Sequence, residues 1–262
     1  MGYVFDFKEA GEYDAGFDRG VNRYYRDLEV KLFLKLLKPR PGQRVLDIGC
    51  GSGISLEPLL DRGLNLTGLD PSPYMLDRAL DRIGERADFH RGFAEDLPFD
   101  DNAFDTAFFF TSLEFSNRPA KAIEEACRVA KDQVVICVFN GYAPLNIYRR
   151  FKGYFIPSHF THMRFFSIWE LKRMIFNTLG HVPVSWRTTL QCPLIRGRWM
   201  AGIEKFSLIQ HSPFGSFIAM RIKPVPTFRT RPLALKIRRG KLYNPASGLV
   251  TGCHREKNNG LV

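Results

Sequence analysis

The sequence predicts an α/β fold: a doubly wound, mostly parallel sheet with helices on both faces, and a basic C-terminal lid and tail. Two observations carry this prediction. Short apolar segments alternate with amphipathic segments of helical period, and the first apolar segment runs directly into a glycine-rich turn. Segments such as 134–139 are apolar at every position, which is typical of strands that are buried on both faces.

The order of the elements follows from the spacing of apolar residues and from the glycines and prolines between them. Residues 19–38 place apolar side chains at helical spacing, and Pro39 and Pro41 end that helix. The segments that follow are predicted strands at 44–48, 64–69, 87–90, 104–110 and 133–139, and predicted helices at 54–62, 74–83 and 119–131.

The pattern changes after residue 140. Residues 141–162 are rich in aromatic and basic side chains and are predicted to form a lid. Ser167 and Glu170 have the spacing of a capping box, which predicts a helix that ends at Leu179 before Gly180. The remaining predicted elements are a strand near 182–189, a helix that contains Trp199, Ile203 and Phe206, and a last strand at 216–222.

We therefore expect one domain over residues 1–222, with a lid region at 141–215, and a basic irregular tail at 223–262. The net charge of +11 is unevenly distributed, because residues 1–140 hold 18 Lys and Arg against 24 Asp and Glu, while the rest hold 20 against 3. The basic residues after position 140 indicate that this part of the chain binds an anionic substrate, an anionic membrane surface or nucleic acid. The alternative is that they only form a solvated surface.

The five cysteines form no CxxC pair and are predicted to be reduced, as in the cytoplasm. His159 and His162 have a metal-ligand spacing, but no carboxylate or Cys lies near them in sequence, so no metal is predicted. The first residues include no apolar signal or anchor segment. We expect a cytoplasmic protein, with a peripheral position at the inner membrane face as the alternative.

The most informative motif is the run of Gly49, Gly51 and Gly53 directly after the predicted strand 44–48. Glycines at such a turn allow positive φ and let a bound nucleotide approach the backbone closely. The dinucleotide fingerprint fails because Ile54 stands where its third glycine belongs, and no P-loop lysine follows.

Asp70 ends the next predicted strand, 21 residues after Gly49. A carboxylate at this distance from a glycine turn accepts hydrogen bonds from both ribose hydroxyls of a nucleotide. The alternative is an ordinary helix cap, because Asp is common at that position too.

The glycine motif, with segments 68–75, 93–105 and 108–115, resembles class I S-adenosylmethionine-dependent methyltransferases of the methyltransferase-11 type, a group that includes quinone-ring and biotin-pathway enzymes. The resemblance covers about residues 10–140, and the segment from Arg164 to Gly180 is similar too. It implies a Rossmann-like fold, S-adenosyl-L-methionine as the cofactor and a cofactor-binding core at about 40–140. One departure is the missing Pro-Gly-Gly after Val129.

The resemblance also implies a set of cofactor-binding residues. The backbone of Ala94 and the side chain of Glu95 are the candidates to meet the adenine amine, because Phe93 stands where many relatives carry Asp. Tyr13 matches an aromatic that closes over the cofactor, with plain packing as the alternative. The full predicted set is Asp47, Gly49, Cys50, Gly51, Gly53, Asp70, Pro71, Met75, Ala94, Glu95, Thr111 and Tyr13.

The implied reaction is an in-line displacement on an electrophilic methyl group, for which the protein mainly positions the acceptor. A phenol or hydroxyl acceptor also needs a general base, and His159 and His162 in the predicted lid are the candidates, with ordinary surface histidines as the alternative.

Several acceptor classes are disfavoured. The Asn-Pro-Pro-Tyr clamp of nucleic-acid base methylation is absent from residues 111–115, which also hold one Glu where protein-arginine enzymes need two. A small-molecule or lipid-like, quinone-like acceptor is therefore expected. Basic and aromatic segments at 148–155 and 229–241 suggest peripheral contact with an anionic membrane. The remaining alternatives are a non-catalytic S-adenosylmethionine-binding module that docks to RNA or a protein partner, and a dehydrogenase.

Overall fold

A twisted sheet of seven strands forms the centre of the part of the chain that the computed structural model describes, namely residues 3–11, 20–147, 163–189 and 209–224. The strands are β1 (Arg44–Ile48), β2 (Asn65–Asp70), β3 (Asp88–Arg91), β4 (Phe104–Phe110), β5 (Ala130–Phe139), β6 (Val184–Thr189) and β7 (Phe217–Ile222). Their order in the sheet is β3-β2-β1-β4-β5-β7-β6.

Strands β1 to β5 run parallel to one another, while β7 is antiparallel to both β5 and β6. The mostly parallel, Rossmann-like sheet is therefore confirmed. The chain moves outward from β1 to β3 and then returns to the other side of β1 with β4. This change of direction is a topological switch point, and open α/β sheets bind ligands at the carboxyl ends of the strands there.

Four α-helices cover the sheet within the described residues: α1 (Gly20–Leu37), α2 (Pro73–Ile83), α3 (Pro119–Val129) and α4 (Ile168–Leu179). Side chains of α1 and α2 pack on one face, where Phe33 lies against Phe108 with ring centroids 4.8 Å apart. Side chains of α3 and α4 pack on the other face, around Phe109 and Ile136. Both faces of the central strands are thus buried, as their continuous apolar sequences predict.

The largest boundary errors are at the predicted helix start 54, the predicted helix end 131 and the predicted strand start 133. The segment predicted as a helix at 54–62 is a 3-10 helix that begins only at Glu57. Pro58 explains the difference. Proline has no N–H, so in the middle of an α-helix it cannot donate to the carbonyl of the residue four positions earlier. The helix predicted to end at residue 131 ends at Val129, and β5 begins at once with Ala130.

The N-cap half of the predicted capping box is confirmed, because Ser167 Oγ accepts the N–H of Glu170 at 3.1 Å, while the Glu170 side chain accepts Arg164 Nη2 at 2.6 Å; α4 ends before Gly180 at φ +72°. Residues 148–162 of the predicted lid, the predicted helix at 199–206 and the tail beyond residue 224 lie outside the described residues. The domain boundary at residue 222 stays a prediction. No helix in the described ranges combines the length and the apolar character that crossing a membrane requires.

Candidate functional site

The glycine turn lies at the switch point, directly after β1. Gly49, Gly51 and Gly53 have φ values of +76°, +52° and +80°. Residues other than glycine rarely adopt this backbone conformation. The N–H groups of Gly49 and Cys50 donate to the carbonyl of Leu69 at 2.7 and 3.0 Å. The turn is therefore held by the neighbouring strand β2.

The three glycines meet different surroundings. A Cβ on Gly49 would lie 2.5 Å from the Cβ of Ser112, in the loop after β4. A Cβ on Gly53 would lie 3.0 Å from Ile83 of α2, so this glycine allows the turn to pack on that helix. A Cβ on Gly51 would meet only the Met75 sulfur, at 4.0 Å. Gly51 is thus the glycine whose missing side chain leaves open space.

Asp70, the last residue of β2, fixes the same turn. Its Oδ2 accepts the N–H of Gly51 at 3.0 Å, and its Oδ1 accepts the N–H of Ser72 at 2.9 Å. Burial raises the pKa of Asp70 to about 6, although both hydrogen bonds act to lower it. An ionised carboxylate offers about four lone-pair sites, so each oxygen retains capacity for a further donor such as a ribose hydroxyl.

Asp47 lies in β1 behind the glycine turn and is fully buried. Ser55 Oγ donates to its Oδ2, whereas its Oδ1 has no hydrogen-bond partner among the described residues. Burial raises the pKa of Asp47 to about 8. The Asp47 carboxyl group therefore supports the glycine turn from inside the protein, through its contact with Ser55.

The loop after β3 forms the opposite wall. Glu95 is buried, and its Oε1 accepts the hydroxyl of Ser116 at 2.7 Å and the N–H of Arg118 at 3.4 Å. This oxygen therefore ties the loop after β3 to the loop after β4, a contact that the sequence did not predict.

Arg128 of α3 holds the following part of that loop. Its guanidinium donates to the carbonyls of Leu97 and Phe99 at 3.0 and 2.7 Å, and pairs with Asp101 at 2.8 Å and with Glu125 at 2.7 Å. The two carboxylates raise the pKa of Arg128 above its ordinary value. The partly buried guanidinium of Arg128 thus sets the path of the loop.

These loops enclose a cavity of about 880 Å³, a volume that includes solvent space at its mouth. Of the residues predicted for the cofactor, those on its lining are Gly49, Cys50, Gly51, Asp70, Pro71, Met75, Ala94, Glu95 and Thr111. Asp47 and Gly53 lie behind the lining, and Tyr13, His159 and His162 lie outside the described residues.

Several lining residues were missed by sequence reasoning, namely Tyr3, Phe5, Ser112, Phe115 and Ser116. Phe115 and Ser116 follow β4, in a segment from which only Thr111 was predicted to contact the cofactor. Among the residues that the structure describes, no group of three or more His, Cys, Asp or Glu side chains is arranged to hold a metal ion.

Comparison with known proteins finds methyltransferases, both by sequence and by structure. Residues 46–138 match the family model described as a methyltransferase domain. The chain is 44% identical over 95 residues to a demethylmenaquinone methyltransferase of Renibacterium salmoninarum, which is 35% of this chain and 38% of that protein. It is 35% identical over 97 residues to a ubiquinone biosynthesis O-methyltransferase of Azorhizobium caulinodans, with the same coverage of 35% and 38%.

Among solved structures, a SAM-dependent methyltransferase of Thermotoga maritima superimposes with a TM-score of 0.56 at 25% identity, over 80% of this chain and 98% of that one. The structural likeness therefore extends well beyond the matched sequence segment. The two curated relatives are matched over less than half of their own length.

Proposed function

We propose, on the premise that residues 46–138 are a class I methyltransferase domain of the methyltransferase-11 type, that this chain transfers the methyl group of S-adenosylmethionine to a small quinone-like acceptor. The observation that carries the proposal is the Asp70 carboxylate, which joins the glycine turn after β1 to the end of β2 on the wall of one cavity.

The donor set fits this cofactor. Gly51 leaves space at the backbone for the amino-acid end, beside the turn that Asp47 supports from behind. Asp70 would hold the ribose, while Ala94 and Glu95 would flank the adenine. When bound, the cofactor supplies an electrophilic methyl group on a sulfonium, so the chain has mainly to orient the acceptor and exclude water.

Two observations support a quinone-like acceptor. The lining of the cavity is rich in aromatic side chains, including Phe93, Phe109 and Phe115, which suit a planar apolar ring. In addition, the curated relatives cited above carry names from the menaquinone and ubiquinone pathways. His159 and His162 remain our candidates for removing a proton from a phenolic acceptor.

The test is methyl transfer by the purified full chain to a panel of reduced quinone precursors in detergent, followed by mass spectrometry of the products. We expect a methylated product and release of S-adenosylhomocysteine, both lost in Asp70→Ala and retained in Asp77→Ala, which changes an exposed aspartate of α2. Tight binding of S-adenosylhomocysteine without transfer to any acceptor would instead favour the non-catalytic binding module.

We retain peripheral contact with an anionic membrane as a separate proposal, supported by the basic segments at 148–155 and 229–241. Sedimentation with vesicles at low salt tests it: we expect recovery with anionic vesicles and little with neutral ones. Equal recovery with both kinds of vesicle would contradict it.

A further inference from the structure

Residues 3–11, which we term the strap, have a fold specified by their own sequence. Asp6 and Glu9 form a reciprocal capping box, in which the N–H of Glu9 donates to Asp6 Oδ1 at 2.8 Å and the N–H of Asp6 donates to Glu9 Oε2 at 3.1 Å. This box begins a helical turn over residues 7–11, in which Ala10 is fully buried. The side chains of the strap therefore specify where its helical turn begins.

Glu9 also joins the two parts of the strap. Its Oε1 accepts the hydroxyl of Tyr3, so the extended residues 3–5 are tied back to the helical turn. Burial and the neighbouring Glu9 raise the pKa of Tyr3 to about 12. The Tyr3 hydroxyl thus remains a donor throughout the physiological pH range.

The strap is anchored on both sides of the glycine turn. The N–H of Tyr3 donates to the carbonyl of Phe115, in the loop after β4, at 3.0 Å. Ser72 Oγ, in the loop after β2, donates to the carbonyl of Phe5 at 2.7 Å. Because β1 lies between β2 and β4 in the sheet, residues 3–5 bridge the loops on either side of the end of β1.

The anchored residues bring three aromatic rings together. Ring centroids are 5.3 Å apart for Tyr3 and Phe5, 5.1 Å for Phe5 and Phe115, and 6.1 Å for Tyr3 and Phe115. All three rings line the cavity. Phe7 belongs to the same strap but is 70% exposed and contacts Tyr74 instead, away from the lining.

We propose that Tyr3, Phe5 and Phe115 form the wall against which the planar ring of the acceptor packs, and that the strap must be seated for this wall to exist. The inference rests on the proposed function, because it assigns the acceptor side of the same cavity. Most of the groups assigned to the cofactor follow β1, β2 and β3, whereas Phe115 follows β4, which lies on the opposite side of β1 from β2 and β3 in the sheet.

The decisive variants are Phe5→Leu, which removes a ring from the wall, and Phe7→Leu, which removes an exposed ring from the same strap. Stacking between aromatic rings contributes about 0.5–1.5 kcal/mol, which corresponds to an affinity change of about 2- to 10-fold. We expect Phe5→Leu to weaken binding of menadione, a planar quinone probe, by that factor in the presence of S-adenosylhomocysteine. The affinity for S-adenosylhomocysteine itself should change less than about twofold, and Phe7→Leu should change neither.

Glu9→Ala tests the seating of the strap without altering the wall. It removes the acceptor of the Tyr3 hydroxyl and half of the capping box, so hydrogen exchange of residues 3–11 should accelerate and menadione binding should weaken. Equal effects of Phe5→Leu and Phe7→Leu, or weaker S-adenosylhomocysteine binding with unchanged menadione binding in Phe5→Leu, would overturn the inference. Binding of menadione and of S-adenosylhomocysteine is measured without turnover. A chain that binds both but transfers no methyl group would therefore contradict the proposed function and not this inference.

Discussion

Asp70 Oδ2 accepts the backbone N–H of Gly51 at 3.0 Å, so the end of β2 holds the turn after β1 and leaves its remaining lone pairs toward the cavity. Replacing Asp70 with Ala removes this contact and the acceptor of the ribose hydroxyls. Hydrogen bonds to a charged group contribute about 1.5–3 kcal/mol each, so we expect S-adenosylhomocysteine affinity to fall about 10- to 100-fold. Calorimetry measures this change.

The control is Asp77→Ala, which removes an exposed carboxylate from the neighbouring helix α2 and should leave the affinity unchanged. An unchanged affinity in Asp70→Ala, with the fold intact by circular dichroism, would contradict the assignment of Asp70.

The pKa of Asp70 predicts a pH dependence of cofactor binding. Burial raises this pKa to about 6, and two ribose hydroxyls bind best to the ionised form. Affinity should therefore be constant above about pH 6 and decrease as pH falls below it, approaching about tenfold per pH unit. Calorimetry in buffers of different ionisation enthalpy should also detect proton release on binding near pH 6. In Asp70→Asn both effects should disappear, and their persistence would implicate another group.

The glycines of the turn should respond differently to alanine. Gly49→Ala places a Cβ 2.5 Å from Ser112 Cβ at a residue with φ +76°. The left-handed backbone alone costs about 1–2 kcal/mol for a residue with a side chain, so this variant should lower the free energy of unfolding by more than that amount. Gly51→Ala meets no such contact, and we expect only about that backbone cost together with weaker S-adenosylhomocysteine binding. Chemical denaturation and calorimetry separate the two effects.

The double variant Gly49→Ala with Ser112→Gly provides the control for the contact. It removes the obstructing Cβ, so part of the lost stability should return when the double variant is compared with each single one. If the effects of the two single changes simply add in the double variant, the contact with Ser112 is not the cause.

Glu114 should make stability depend on pH. Its Oε1 accepts the N–H of Phe139 at 2.9 Å, its Oε2 has no partner in the described part of the chain, and burial raises its pKa to about 8. The folded form therefore keeps a proton that the unfolded chain releases above its ordinary pKa of 4.5, so stability should fall between about pH 4.5 and 8.

Glu114→Gln keeps the acceptor for Phe139 and removes the ionisation, so its melting temperature should decline less over this range than that of the natural chain. Asp47, with its pKa of about 8, should account for part of the remaining slope. Glu85→Gln, at an exposed position, is the matched control. A slope in Glu114→Gln identical to that of the natural chain would contradict the prediction.

Local patterns were sufficient to predict the sheet and the centre of the site. Strand β5 is apolar at consecutive positions, and the positive φ values of Gly49, Gly51 and Gly53 are a property that only glycine provides at low cost. Asp70 was predictable because its distance from the glycine turn is set by one helix and one strand. These features depend on residues that are close in sequence.

The features that were missed depend on contacts between distant residues. Tyr3 meets Phe115 more than a hundred positions away, and Arg128 reaches back to Leu97, Phe99 and Asp101. No period or motif encodes such pairs, because the fold alone brings them together. The aromatic that sequence reasoning proposed to close the site was Tyr13, which lies outside the described residues, whereas residues 3–5 line the cavity.

The direct passage from Val129 of α3 to Ala130 of β5 leaves no spare residue between helix and strand. Side chains of β5 alternate between two separate cores, with Val134 facing one and Val135 the other. The pairing of β5 with β4 shifts register once between Ala130 and Gln133, so an extra residue can be absorbed there. A single residue inserted or deleted after Gln133 would instead exchange the two sets of side chains, so length variation in this part of the chain should be confined to the residues before Gln133.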